Sequence, residues 1–384
     1  MRFRFAGILV VMAAGLLFVQ PARADRATAG VQGMSVNCPA RLQLRHPGRC
    51  QHTDTRGEMT ALAVEGILPE RPLPIRAYDE TLGEIPYTYL RASDDGGTPL
   101  YTSLPDAVGA RNAYRVMEPG FVFFSWLDWY DREGEIIYMV EPGIYIRGGD
   151  VSRVSPSSFH GIMLNGTPER PFAWVLGQVK PSTAPGRGAP TLANYVYRYE
   201  IVQIYDMVEV DGWTWYQVGP DAWIEQRLMG VVFPEAEAPE GVANNRWISV
   251  NLYEQTIAAY ENGEMVFATL VSTGIGGWWT QPGLFQVYEK LETDFMQGAF
   301  EADRSDFYYL EDVPWILYYD QSRALHGAYW HNGFGYPRSH GCVNLSPADA
   351  EWIYEWSIEG TWVYVFDPSG ETPTDEELYG AGGF

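Results

Sequence analysis

Cys342 is the residue around which chemistry can be built. A cysteine attacks carbon as thiolate, and a free thiol with a pKa of about 8.5 needs a base or positive charge beside it to react near neutral pH. Histidine supplies such a base, because its pKa lies close to working pH. The stretch Leu325-His326-Gly327-Ala328-Tyr329-Trp330-His331-Asn332, running on to Ser339-His340-Gly341-Cys342-Val343-Asn344-Leu345, holds three of the six histidines and one of the three cysteines. His340 stands two residues before the thiol and is held near it locally. His326 stands sixteen residues before it and reaches the sulfur only if the chain doubles back, for which Gly333, Gly335 and Pro337 provide a loop. A thiol with an imidazole base points to nucleophilic acyl transfer. His326, His331, His340 and Cys342 are also enough groups for a zinc ion, but short-spaced ligand pairs such as His-Glu-x-x-His are absent, so no metal or other cofactor is expected.

The distant imidazole needs a framework that returns the chain to the thiol, and the flanking sequence is mainly β. Ile248, Val250 and Leu252 alternate with polar residues. Residues 256–260 and 265–271 read as strands joined by the tight turn Glu261-Asn262-Gly263-Glu264. After Cys342 the signals change to those of a helix. Ser346 suits the N-cap, Pro347 the first position and Asp349 the third, Trp352, Ile353 and Trp356 share a face, and Gly360 ends the element. Residues 361–366 read as a last strand, and 369–384 as a frayed, flexible tail.

The region ahead of this framework carries a repeat. Gly134, Tyr138, Val140, Pro142, Tyr145, Ile146 and Val154 recur as Gly212, Tyr216, Val218, Pro220, Trp223, Ile224 and Val232, always 78 residues later. Constant spacing implies two small β modules, placed at 67–165 and 190–234. Their aromatic residues can fill two cores or form a docking face. Residues 179–190, rich in Pro and Gly, read as a linker between the copies, and the Pro/Glu/Ala-rich 234–241 as the boundary before a catalytic domain at 244–368.

The N-terminus bears on compartment. Met1-Arg2-Phe3-Arg4, an apolar run over 5–19 and Ala22-Arg23-Ala24 read as a secretory signal cleaved after Ala24, with an uncleaved anchor as the alternative. Residues 25–66 are irregular, with a basic patch and exposed His46 and His52. Export permits disulfides, and Cys38 and Cys50 could close a small loop, leaving Cys342 as the odd, reactive thiol; otherwise all three are free. A formal net charge of −23 argues against nucleic acid or anionic lipid as partner, since both need clustered Lys and Arg.

His326-Gly327 followed by Ser339-His340-Gly341-Cys342-Val343-Asn344 resembles the signature of L,D-transpeptidases with a YkuD-type catalytic domain, cysteine enzymes that cross-link bacterial peptidoglycan. Thr280-Gln281-Pro282-Gly283-Leu284-Phe285 is similar to the family's Thr-Pro-x-Gly-x-Phe, with Gln281 where Pro is usual. The stretch from Asp211 to Ile224 resembles bacterial SH3-like domains, and the first copy does so more weakly. The resemblance implies a mainly β chain in which two small SH3-like barrels precede a β-rich catalytic domain with a short helix after the cysteine. It implies Cys342 as nucleophile and His326 as general base, oriented by the backbone carbonyl of Gly327. It places Ser339 and His340 close to the thiol, His340 either polarising it or helping the oxyanion. The N–H groups of Gly341 and Cys342 are candidate oxyanion donors. Tyr318, Trp330, His331 and Asn344 are candidates for the substrate groove, Asn344 as a brace rather than a reacting group, and 290–320 corresponds to a flap over the donor. The implied partners are peptidoglycan stem peptides, donor and acceptor, the cell wall through the SH3-like modules, and carbapenem-type β-lactams as inhibitors.

Overall fold

A computed structural model describes residues 73–379, apart from 94–95, 133 and 236. The expected signal segment, the irregular region 25–66 with Cys38 and Cys50, and the last five residues lie outside the described residues.

Two large sheets face each other across the catalytic core. The first runs in the order Ile75–Arg76, Ile162–Leu164, Glu264–Leu270, Thr256–Glu261, Arg246–Asn251, Trp362–Phe366, Gly283–Gln286. The second runs Val343–Leu345, Arg323–Gly327, Tyr308–Asp320, Phe121–Ser125, Tyr89–Ala92, Val151–Arg153, with Glu289–Gly298 paired to Tyr308–Asp320 beside that path. Alternation along the strands sends Ile248, Val250 and Phe267 from one sheet against Leu317, Leu325 and Val343 from the other. The hairpin turn at Asn262 and Gly263 takes φ of 55° and 83°, which is why Asn-Gly stands there. Helix Pro347–Trp356 starts as its sequence requires, with Ser346 Oγ accepting from Asp349 N at 3.2 Å. Such a cap contributes about 1 kcal/mol.

The repeat is real and extends to whole units. In the first, Tyr89–Ala92 lies between Phe121–Ser125 and Val151–Arg153, and a meander of Asp128–Arg132, Glu135–Glu141 and Ile144–Arg147 fills the interval. In the second, Phe172–Val175 lies between Ile201–Gln203 and Met229–Val232, with Asp206–Val210, Trp213–Gly219 and Ala222–Glu225 as its meander. A short 3-10 turn precedes the last strand of both units, at Gly148–Asp150 and Gln226–Leu228. The matched aromatics Tyr138 and Tyr216 are buried in their own unit's core.

Three features depart from expectation. The Pro/Gly-rich 179–190 lies inside the second unit, after its first strand, where isolated bridges from Val179 to Val196 and from Ser182 to Thr191 and Trp223 fold it back. Proline restricts regular pairing but leaves single bridges open. The first unit is not a separate bead, because Phe121, Val122 and Phe123 pair in parallel with Tyr308, Tyr309 and Leu310 of the catalytic sheet. The C-terminal segment is docked as far as Tyr379, which is 4% exposed and whose carbonyl accepts from Arg323 Nη2 at 3.0 Å.

Candidate active site

Strand register brings the two reactive groups together. Leu325, His326 and Gly327 pair in parallel with Val343, Asn344 and Leu345, so Cys342 comes abreast of Ala324. Side chains two apart share a face of a sheet, which places His326 on the same side as the thiol. Both line one cavity of about 1270 Å³.

His326 is 2% exposed, and its Nδ1 lies 3.4 Å from the Gly327 carbonyl. A carbonyl only accepts, so this weak contact puts the ring proton on Nδ1 and leaves Nε2 with its lone pair. Burial lowers the ring pKa to about 4, against the pull of the Gly327 carbonyl, so the imidazole is neutral at neutral pH. The thiol is partly exposed, with Sγ 3.8 Å from the Ser322 carbonyl. Burial raises its pKa, while the Ala324 amide and the Arg323 guanidinium lower it. The resting pair is therefore thiol and neutral imidazole, a general-base arrangement rather than a preformed ion pair.

The turn before the thiol is built by Ser339, whose hydroxyl donates to the Cys342 carbonyl at 2.5 Å and accepts from Gly341 N at 3.1 Å. The Gly341 N–H is thus directed at Ser339, not at the cavity, which corrects its expected role as an oxyanion donor. Gly341 has φ +120°, and a Cβ there would lie 3.3 Å from Arg323 Nε. Thr280 Oγ1 donates to the Gly341 carbonyl at 2.8 Å, so the Thr-Gln-Pro-Gly stretch braces the turn from below.

Tyr318, Trp330, His331, His340 and Asn344 all line the cavity with Ser339. His340 stacks on Phe300 at 5.0 Å and Tyr308 at 5.9 Å and meets Trp278 edge-on. Its ring contacts are with the flap residues and the Trp loop. His331 accepts from Gly333 N through Nδ1 at 3.2 Å, and its Nε2 lies 3.2 Å from Asn344 Nδ2. Burial lowers the His331 pKa to about 3. Asn344 also joins Ser272 through its main chain, consistent with a brace. Tyr318 donates to Asp294 Oδ2 at 2.7 Å. Among the described residues no three His, Cys, Asp or Glu side chains converge as metal ligands would.

Sequence reasoning missed Arg323. Its guanidinium is 4% exposed, donates to Asp320 Oδ2 at 2.6 Å and to Gln281 Oε1 at 3.4 Å, and sits behind the thiol turn. Gln281, in the place of the usual Pro, supplies that acceptor. The available signal was a charge inside the apolar strand that carries His326. Arg91, Phe121 and Tyr308 were also missed as cavity residues, because their strands are distant in sequence.

Residues 245–365 match the model of the YkuD family, described as the L,D-transpeptidase catalytic domain. Similar solved structures include an L,D-transpeptidase from Stackebrandtia nassauensis, 28% identical over 36% of this chain and 62% of that one, with a TM-score of 0.27. The catalytic domain of the E. faecium L,D-transpeptidase is 26% identical over 33% of this chain and 100% of that one, with a TM-score of 0.29. An L,D-transpeptidase from Xylanimonas cellulosilytica is 24% identical over 35% of this chain and 65% of that one, with a TM-score of 0.28. The chain thus spans less than two thirds of the length of the Stackebrandtia and Xylanimonas proteins. No curated protein sequence matches it. With Cys342 and His326 on one face of paired strands inside the matched segment, residues 245–365 form a YkuD-type L,D-transpeptidase catalytic domain.

Proposed function

We propose that the protein is an exported peptidoglycan L,D-transpeptidase that works by two-step acyl transfer. The observation that carries the reading is the register of Arg323–Gly327 against Val343–Leu345, which puts the His326 imidazole and the Cys342 thiol on one face of the sheet, both lining one large cavity. His326 Nε2 takes the Cys342 proton as sulfur attacks the carbonyl between an L-centre and the terminal D-residue of a stem tetrapeptide. The C–N bond breaks, the D-amino acid leaves with the proton, and a thioester remains. An amine of a second stem then attacks the thioester, His326 takes its proton, and the thiol is restored. The Cys342 N–H is the oxyanion donor left of the expected pair. Splitting the exchange conserves acyl energy without a nucleotide, which suits a compartment outside the membrane. The two repeated units, each with three paired strands, a three-strand meander and a 3-10 turn before the last strand, support reading them as SH3-like modules that hold the enzyme at the wall. The E. faecium catalytic domain is known acylated by ertapenem, and the same chemistry is expected at Cys342.

Intact-protein mass spectrometry with a disaccharide-tetrapeptide tests this. The wild type is expected to release the terminal D-residue through a transient adduct, and Cys342→Ala to do neither. The ratio of cross-linked dimer to hydrolysed tripeptide distinguishes a transpeptidase from a carboxypeptidase that uses water. Absence of any adduct on folded wild-type protein would sink the acyl-enzyme reading.

A further inference from the structure

The two repeated units grip one loop of the catalytic domain, and they do so at equivalent positions. Phe121 and Tyr199 stand 78 residues apart, the interval of the repeat. Phe121 of the first unit meets Trp330 edge-on at 6.2 Å. Tyr199 of the second unit donates from its hydroxyl to the Asn332 carbonyl at 2.9 Å. Arg198 closes this clamp. Its Nη2 donates to Tyr199 Oη at 2.6 Å and also to the Asn332 carbonyl, and its guanidinium lies 4.3 Å over the Tyr199 ring. Tyr199 holds φ +65°, which costs a bulky residue about 1–3 kcal/mol and persists only where the surroundings dictate it. Those surroundings run inward as a row of rings. Tyr199 packs on Phe159 at 4.3 Å, Phe159 stacks on buried Phe334 at 5.9 Å, and Phe334 lies 4.8 Å from His331.

The gripped loop bears on the general base. Trp330 lies 5.6 Å from the His326 ring, and His331 Nε2 lies 3.2 Å from the side-chain nitrogen of Asn344, which pairs with His326 across the strands. The imidazole's own bond to the Gly327 carbonyl is long, at 3.4 Å, so the packing around the ring decides its orientation. Proton transfer needs the base within hydrogen-bond reach of its proton, and small displacements of that base are costly. We propose that Tyr199 and Arg198 of the second unit are positioning residues for the acyl transfer, fixing the loop 328–334 against His326. The inference rests on the acyl-transfer reading above and deepens it, since the second unit becomes part of the enzyme as well as a module beside it. Arg198 and Tyr199 lie outside the cavity lining, so they act through the loop and not on substrate. Phe121 lines the cavity itself, which makes the second unit's clamp the cleaner probe.

The test uses the full chain and ertapenem as the acylating probe. Rapid mixing over a range of ertapenem concentrations separates the limiting rate of Cys342 acylation from the half-saturating concentration. Tyr199→Phe keeps the ring on Phe159 and removes only the hydroxyl, and combining it with Arg198→Ala removes both side-chain donors to Asn332. The double variant is expected to lose about tenfold in limiting rate, within the hundredfold that a displacement of about 1 Å can cost. Its half-saturating concentration is expected to stay at the wild-type value, because the base moves and the binding surface does not. Arg198→Lys in the Tyr199→Phe background returns one donor and is expected to recover part of the rate. Urea unfolding confirms that each variant is folded. If the double variant is not, Tyr199→Phe alone decides, with an expected loss of about threefold. An undiminished limiting rate, a change confined to half-saturation, or a lysine no better than alanine overturns the positioning role and leaves the acyl-enzyme reading intact. A wild type that forms no adduct overturns that reading, and this inference with it.

Discussion

Replacing Glu254 by glutamine is expected to flatten the loss of stability with rising pH. Glu254 occupies the turn between Arg246–Asn251 and Thr256–Glu261 and is 2% exposed. Its carboxyl accepts from Tyr216 Oη at 2.5 Å, Val231 N at 3.1 Å and Gln226 Nε2 at 3.4 Å, all from the second repeated unit. Burial outweighs these bonds and lifts its pKa from 4.5 to about 7. The folded state thus keeps a proton that the unfolded chain releases above pH 4.5. Stability from this group is complete below pH 4.5, falls through the window from 4.5 to about 7, and is lost above it. At 1.36 kcal/mol per unit the fall amounts to about 3 kcal/mol. Glutamine is neutral throughout; its amide oxygen takes the Val231 and Gln226 donors, and its NH2 donates to the Tyr216 hydroxyl oxygen, which accepts as well as donates. The variant is therefore expected to match the wild type near pH 4.5 and to exceed it by up to about 3 kcal/mol above pH 7. Urea unfolding at pH 4.5, 6, 7 and 8 measures the difference. Glu311 and Asp349 are also raised to about 7, so only the difference between the two proteins isolates Glu254. Parallel pH profiles would refute the reasoning.

Other expectations follow from the site. With the His326 pKa lowered to about 4, acylation of Cys342 by a carbapenem should hold its rate down to near pH 5 and fall only as the imidazole protonates; a midpoint near the ordinary value of 6.5 in rapid-mixing kinetics would contradict it. Arg323→Met removes the charge behind the thiol and strands Asp320, so alkylation of Cys342 should shift to higher pH and stability should drop by about 3–5 kcal/mol; an unmoved alkylation profile would deny Arg323 its influence on the sulfur. Gly341→Ala forces a side chain onto φ +120°, with an expected loss of about 1–3 kcal/mol in thermal or urea unfolding, and a stability equal to the wild type would show the turn to be unstrained.

The sequence was most legible where local physics decides the outcome. Asn262-Gly263 specifies a turn, Ser346-Pro347 a helix start, and the alternation of Ile248, Val250 and Leu252 a half of the core, and all three form as read. The 78-residue repeat survives because matched positions such as Tyr138 and Tyr216 fill equivalent cores. What was not legible depends on pairing between distant strands. Nothing local in Phe121-Val122-Phe123 says that it will pair with Tyr308–Leu310, nearly two hundred positions on, so the first unit's share of the cavity was invisible. Tyr379 is an aromatic residue amid acidic and glycine positions, and only the buried Arg323 beneath it explains why it docks. The role of Gly341 N–H was misjudged for a similar reason, since the Ser339 side chain competes for it.

The joint between the first unit and the flap has a consequence for catalysis. A long hairpin such as Glu289–Gly298 with Tyr308–Asp320 would expose an edge at Tyr308–Leu310, and exposed edges fray or find partners. Here Phe121–Ser125 occupies that edge, and Phe121 N donates to the Phe307 carbonyl at 2.9 Å. Tyr89 stacks on Tyr329 at 3.5 Å and donates to the Asp312 carbonyl, while Ser125 N donates to Glu311 at 2.9 Å. Asp312 and Trp315 take positive φ within the strand, which bends it where the first unit grips it. On the cavity side, His340 of the thiol turn stacks on Tyr308 and Phe300. The flap is thus held from both faces, by an imidazole two residues from the nucleophile and by a strand from a different unit. A site held this way presents its walls at fixed spacing before substrate arrives, which lowers the ordering cost of bringing donor and acceptor together. Removing the first unit would therefore free an edge of the sheet that carries His326, and truncation is expected to slow acylation of Cys342 by a carbapenem, as read by intact-protein mass spectrometry.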